Sequence, residues 1–187
     1  VGRLIELARQ DPSVVPSLVL YLDREEKVPA AALDLLLSAA GASDAKQRLT
    51  QTLALRSLVK IDDPTAVDKL LAHLPSMVVD DENRDVFTRT KRNFFLAPHF
   101  DRHVSRFAEA SASQESPQSL WADGVLIRLA FSAGAAPAAK QAALTAVDEG
   151  WKKPDRRKQL IAASEFADDR SLAVRIADDA DDKTSST

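Results

Sequence analysis

The sequence predicts an all-α protein, an α-α superhelix of about ten short helices, and three observations carry that expectation. Apolar residues recur at helical spacing along nearly the whole chain, and no stretch alternates apolar and polar residues long enough to make a useful strand. Aspartate–proline steps stand directly before two of these stripes, where a helix would begin. Only 5 glycines in 187 residues, with abundant Ala, Leu and Arg and 5% aromatic residues, favour helix over strand.

The clearest stripe follows Asp63-Pro64, where Ala66, Val67, Leu70, Leu71 and Leu74 fall on one helix face. "DPSVVPSLVLYL", residues 11–22, places Val14, Val15, Leu18, Val19 and Leu22 at the same relative positions. "DRSLAVRIADDA" is a fainter copy, with Asp169 at the entrance and Leu172, Ala173, Ile176, Ala177 and Ala180 as its stripe. "APAAKQAALTAV" fits in part, with Pro137 at the entrance and Lys140 interrupting the pattern. An Asp side chain caps free N–H groups of a first turn and favours the positive end of the helix dipole. Proline fits the first turn because its missing N–H has no intrahelical partner there. The recurrence in register selects stacked repeats over an arbitrary set of helices.

Helices are expected near 1–10, 12–22, 29–40, 44–61, 64–75, 81–96, 98–111, 117–133, 137–150, 154–166 and 169–181. Gly41, Gly134 and Gly150 stand where helices should stop. Residues 1–187 read as a single helical domain, with "SASQESPQS", 111–119, as the loop-like place for a subdivision. Residues 182–187 read as a frayed tail. The chain opens at Val1 directly into helix-forming sequence, which sets the expectation of a fragment of a larger protein. Its compartment is left open.

Composition removes several classes of function. With 45% hydrophobic and 28% charged residues the chain is expected to fold. No apolar run approaches the roughly 18–20 residues that span a bilayer, so no membrane insertion is expected. Zero cysteines exclude disulfides, thiolate metal sites and cysteine nucleophiles. A formal charge of −3 argues against a wholesale nucleic-acid binder. No phosphate loop, Ser-His-Asp set or nucleotide-binding glycine motif is present, so neither enzyme activity nor a cofactor is expected.

"TLALRSLVKIDDPTAVDKLLAHL", 52–74, resembles a HEAT-type (armadillo-like) repeat: an Ala/Leu-rich helix, a turn with Asp-Pro, then a helix with a Val-x-x-Leu-Leu-x-x-Leu face. The likeness is good over 44–74, fair over 4–22 and 137–181, and poor over 80–133. The two best entrances lie 52 residues apart, longer than the ordinary repeat of roughly 40–47 residues. The resemblance implies a helical solenoid that acts as a scaffold for a protein partner or for a neighbouring domain of the same chain; the opening at Val1 sets the expectation that the larger protein is bacterial.

Three clusters are candidates for chemistry. His99 and His103 in "PHFDRHVSRF" have the spacing of an H-x-x-x-H metal pair. Phe100 occupies the place of a metalloprotease's glutamate, and no third ligand is evident, so no metal is expected. In a helix over 98–111, Phe100, Val104 and Phe107 would form the buried stripe, with His99, Arg102, His103 and Arg106 on the wet side. Across 84–107, Arg84, Arg89, Lys91, Arg92, Arg102 and Arg106 against Asp85 and Asp101 give +4, and Phe87, Phe94, Phe95, Phe100 and Phe107 interleave. Basic plus aromatic residues suit nucleic acid or a phosphorylated ligand. Two amphipathic helices with core phenylalanines and solvated charges account for the same pattern. The binding surface expected here comprises Arg84, Lys91, Arg92, His99, Arg102, His103 and Arg106.

The third cluster is "KKPDRRK", 152–158. Arg156, Arg157 and Lys158 sit early in a helix, where the dipole does not favour them, and so point to an anionic partner. Gly124, inside "LWADGVLIRLAF", is expected at a close helix contact, and Trp121 and Trp151 in core or capping contacts. The leading expectation is therefore a non-catalytic helical-repeat scaffold. Its rival is a HEAT-like nucleic-acid binder of the DNA-glycosylase type using the basic 84–107 segment.

Overall fold

The computed structural model describes residues 1–41, 47–76, 84–112, 117–131 and 133–173. Among the described residues the chain is all-α, with ten α-helices, several opened or closed by a 3-10 turn, and no strand. Its contacts divide it into two compact units, Val1–Pro98 and His99–Thr187. The loop-like 111–119 segment, expected as the place of division, lies inside the second unit. Ser111 and Ala112 still belong to a helix there, and 113–116 lie outside the described residues.

The first unit contains α1 (Gly2–Gln10), α2 (Val15–Arg24), α3 (Leu33–Ala40), α4 (Arg48–Leu58), α5 (Pro64–His73) and α6 (Arg84–Phe95). Both aspartate–proline entrances are caps. Asp63 accepts from the N–H groups of Thr65 at 2.9 Å and Ala66 at 3.1 Å, and α5 starts on Pro64. Asp11 accepts from Ser13 N–H at 2.9 Å, and Pro12–Val14 form a 3-10 turn that runs into α2. Ala66, Val67, Leu70, Leu71 and Leu74 are all buried, as are Leu18, Val19 and Leu22, while Val14 and Val15 are half-buried. The stripes therefore form the core of this unit.

Polar links tie α1 to the start of α3, α2 to α4, and α3 to α5. Arg9 of α1 donates to the carbonyl of Ala31, just before α3, at 2.9 Å. Arg56 of α4 lies 3.1 Å from the Asp23 carboxylate of α2. Lys60, just past α4, donates to the carbonyls of Asp23 at 2.5 Å and Glu25 at 3.1 Å, placing a cation where the end of α2 carries its negative pole. Lys69 of α5 pairs with Asp34 of α3 at 2.8 Å. That bond, and the charge behind it, holds the Asp34 carboxyl below its ordinary range. Exposed pairs of this kind add little stability, but they record which helices lie side by side.

The second unit contains α7 (Val104–Ala112), α8 (Pro117–Phe131), α9 (Pro137–Trp151) and α10 (Pro154–Phe166). The 3-10 turn Pro98–His103 leads into α7. The middle helix, α8, is apolar nearly all round: Trp121, Ala122, Val125, Leu126, Ile127, Leu129 and Ala130 are buried. A helix without a wet face belongs at the centre, and α7, α9 and α10 all pack on α8. Gly124 is buried in mid-helix.

Helix ends follow local chemistry. Gly41 closes α3 in a right-handed conformation. Gly134 lies in the turn after α8. Gly150 does not end α9, which continues to Trp151; a side chain there would press against Leu160 of α10 at 3.2 Å. That close approach is the physical reason for a glycine. The end of α10 was not marked by any glycine. Asp168 adopts φ 53 and donates to Glu165 C=O at 3.1 Å, and Asp169 donates to Ser164 C=O at 3.0 Å. The pair is a Schellman closure with aspartate in the position usually taken by glycine. Asp169 then caps the next turn through Ser171 N–H at 2.8 Å, and Leu172 is buried. The rest of the helix expected over 169–181, and the tail 182–187, lie outside the described residues.

Candidate functional site

The expected binding surface is distributed over both units, with Arg84, Lys91 and Arg92 on α6 and the rest at the start of the second unit. On α6, Phe87 is half-buried, and Thr90 and Phe94 are buried, at helical spacing. This face includes the side that meets α4. Arg84, Thr88, Arg89 and Arg92 are exposed on other sides of the helix, and Lys91 is half-buried.

The segment 98–107 departs from its expected form. Residues 98–103 are a 3-10 turn, not the first turns of an α-helix. In that geometry residues three apart eclipse one another, so His103 follows Phe100 inward. His99 and His103 are accordingly buried, at 7% and 9% exposure, and the expectation that they line the wet side is corrected. His99 meets Phe100 edge-on at 5.0 Å, and the two imidazole rings meet edge-on at 6.0 Å. The rest of the stripe is as expected: Phe100, Val104 and Phe107 are buried, with the two phenylalanine rings 4.9 Å apart. Arg102 and Arg106 face solvent, but each has a local acid, Asp101 at 3.9 Å and Glu109 at 3.6 Å respectively. Among the described residues, no three His, Cys, Asp or Glu side chains come together as metal ligands would.

The most developed polar cluster lies elsewhere, at the junction of α7, α8 and α10. Arg156 grips Asp123 through both guanidinium ends, at 2.8 and 3.1 Å. Its other donors reach Ser111 at 2.5 Å and Gln159 at 2.5 Å, while the Ser111 hydroxyl donates to Asp123 at 2.6 Å. Asp123 is 0% exposed, and Ser111 and Arg156 at most 6%. Burial pushes the Asp123 carboxyl above its ordinary range, and the bonds from Arg156 and Ser111 oppose that push. A closed, mutually satisfied set of this kind holds three helices in register.

This cluster also corrects the reading of 152–158, since Arg156 is committed inside the unit and not to an outside anion. Arg157 lies over the Trp151 ring at 5.3 Å and donates to the Trp151 carbonyl at 3.0 Å. Trp151 and Trp121 are buried, the latter edge-on to Phe166 at 5.0 Å, as core and capping contacts. Two sequence signals pointed to the cluster: a lone acid in the apolar run of α8, and an arginine placed against its helix dipole.

An open recess at the end of α10 is lined by Ile161, Ser164, Glu165, Asp168, Asp169, Arg170 and Ala173. Its polar groups serve the chain closure: Ser164 donates to the Asp169 carbonyl, and the Asp169 carboxylate accepts from Ser171. Among the described residues no helix is long and apolar enough to cross a membrane. No protein-family model, curated protein or solved structure matches this chain.

Proposed function

We propose that the chain is a non-catalytic, HEAT-like helical-repeat scaffold that holds a protein partner or a neighbouring domain of the same polypeptide. One observation carries this reading: the order in which the helices pack. In the first unit α1 packs on α2 and on the turn that opens α3, α2 on α3 and α4, α3 on α4 and α5, and α4 on α6. In the second, α7 packs on α8 and α9, α8 on α9 and α10, and α9 on α10. Extensive packing among the described residues thus joins helices one or two places apart in sequence. Such nearest-neighbour order is what a stack of helical pairs produces. The repeated aspartate caps and buried stripes of α2 and α5 support the same reading, since they begin equivalent helices in equivalent ways.

A stack works by presenting surface, and nothing in its interior needs to react. The test is affinity capture from source lysate by the full chain, beside the charge-reversed variants Arg89→Glu/Arg92→Glu and Arg102→Glu/Arg106→Glu. A protein retained by the parent and lost with one reversal supports the scaffold. Submicromolar affinity for random duplex DNA at physiological salt, abolished by a reversal, would replace it with the nucleic-acid reading.

A further inference from the structure

We infer that the flank of the first unit facing away from α3 and α4 is a self-association surface, on which a second copy of this chain docks with its α1 antiparallel to this one. The inference rests on the stacked reading, which orders the helices of this unit into two rows, α1–α3–α5 and α2–α4–α6. α3 and α4 have row neighbours on both sides, whereas among the described residues α1 and α2 pack extensively on a row neighbour on one side only. A stack that ends in solution needs a polar outer side on its terminal helices.

Here that side is apolar. Ile5 and Ala8 are the buried line of α1, and Arg9, which reaches Ala31, marks the side toward α3. At about 100° per residue, Arg9 stands about 70° to one side of that line, and Leu4 and Leu7 about 70° and 130° to the other. The two leucines are 37% and 46% exposed, and Val1, a turn before Leu4, is exposed as well. α2 repeats the arrangement. Its buried line is Leu18, Val19 and Leu22, and Asp23 meets Arg56 on the side toward α4. Tyr21 is exposed and stands about 110° to the opposite side by the same spacing. Single exposed leucines are ordinary, but Val1, Leu4, Leu7 and Tyr21 gather on one end of one unit, as an interaction patch does.

Charge selects the second copy and its direction. Arg3 borders the leucines near the start of α1, and Asp11 follows them as its C-cap. Glu6 and Arg9 pair with each other at 2.5 Å and lie toward the α3 side. Asp11 carries its charge while it caps Ser13, whose bonds hold the carboxyl below its ordinary range. A twofold axis near Leu7 lays Leu7 of one copy against Leu7 of the other. It also sets Arg3 of each helix, four residues before Leu7, opposite Asp11 of its mate, four residues after it. Such rim charges fix orientation more than they add affinity. A parallel approach would instead set Arg3 on Arg3, Asp11 on Asp11, and like ends of the helix dipoles side by side. The flank is therefore complementary to itself in the antiparallel sense alone.

The test is sedimentation equilibrium of the full chain over about 1–300 μM, because a flank of two short helices lies near the roughly 1,000 Å² at which specific interfaces begin. The average mass should rise from monomer toward dimer across that range. Leu4→Glu/Leu7→Glu should weaken association about tenfold or more, since the new carboxylates would be desolvated in the contact. Arg3→Glu should weaken it at low salt and less at high salt. All three side chains are exposed, so circular dichroism should be unchanged. A short thiol cross-linker should join two copies of Leu7→Cys and should not join two copies of Leu20→Cys, exposed on the outer side of α2. That comparison decides the matter even if the double glutamate variant loses helix. A chain monomeric throughout the range would leave the flank to some other helix pair and overturn the inference. Parent-like association of Leu4→Glu/Leu7→Glu, or equal cross-linking of Leu20→Cys, would overturn it too. None of these would disturb the helix order behind the stacked reading, which cysteine pairs within one chain test separately.

Discussion

Replacing one member of the buried Asp123–Arg156 pair should destabilise the second unit far more than replacing both. Asp123→Ala leaves a guanidinium at 6% exposure with no anion, and an arginine cannot shed its proton to escape. Its cost is about 3–5 kcal/mol. Arg156→Met leaves a carboxylate at 0% exposure, which can take up a proton, so at neutral pH its cost is smaller. Removing both leaves only a cavity and the Ser111 hydroxyl. The double variant should therefore lie closer to the parent than the sum of the singles, with a coupling of at least about 2 kcal/mol. Both tryptophans, Trp121 and Trp151, are in this unit, so their fluorescence reports its unfolding. With a slope of roughly 1.5 kcal/mol per molar urea, Asp123→Ala should move the midpoint by roughly 2–3 M. The sign with pH is fixed as well. Burial already raises the Asp123 carboxyl in the folded state, and loss of Arg156 raises it further. A group with a raised folded pKa favours folding below its unfolded pKa, and that contribution is lost as pH rises through the folded value. The deficit of Arg156→Met relative to the parent should therefore shrink in acid and grow toward neutrality. Additive single effects, or an unmoved midpoint in Asp123→Ala, would refute the coupled pair.

Four further outcomes are expected. Leu70→Asp should lower first-unit stability by several kcal/mol, because an unpaired charge enters a site at 2% exposure; circular dichroism melts that match the parent would exclude Leu70 from the core. Asp63→Ala, which removes acceptors for two N–H groups, should cost about 1 kcal/mol in urea titrations, and no loss would mean the cap is not formed in solution. Asp168→Gly should stabilise the second unit by about 0.5–1 kcal/mol, since glycine adopts the left-handed conformation without a Cβ contact; a lower midpoint would show that the Asp168 side chain matters more than its backbone. Protein purified without a histidine tag should contain no stoichiometric zinc by elemental analysis. Zinc that disappears in His99→Ala would establish a metal site.

Most of the fold could be read before any coordinates because its determinants are local. The stripe from Ala66 to Leu74, its proline start and its aspartate cap lie within one dozen residues, and a helix face follows from spacing alone. The site residues were legible only in part. Arg102 is exposed and Arg106 half-buried, on the solvent side that their spacing predicted, while His99 and His103 are buried, because a 3-10 turn rotates each residue further than an α-helix does. Arg156 and Asp123 lie 33 residues apart, and their pairing depends on how α8 and α10 pack. Each left a local trace, a misplaced charge, but neither trace names the other. The division after Pro98 left no mark as plain as the serine-rich 111–119 segment.

The proposed stack is tested most directly by short-range cross-linking of paired cysteines, which is clean in a chain that has none of its own. Asp34→Cys with Lys69→Cys joins α3 to α5, and Asp23→Cys with Arg56→Cys joins α2 to α4, both across side chains already in contact. Glu6→Cys with Thr88→Cys would join α1 to α6, helices that neighbour each other in a closed bundle but not in a stack. The stack predicts efficient cross-linking of the first two pairs and none of the third. Efficient cross-linking between positions 6 and 88 within a monomer would contradict it.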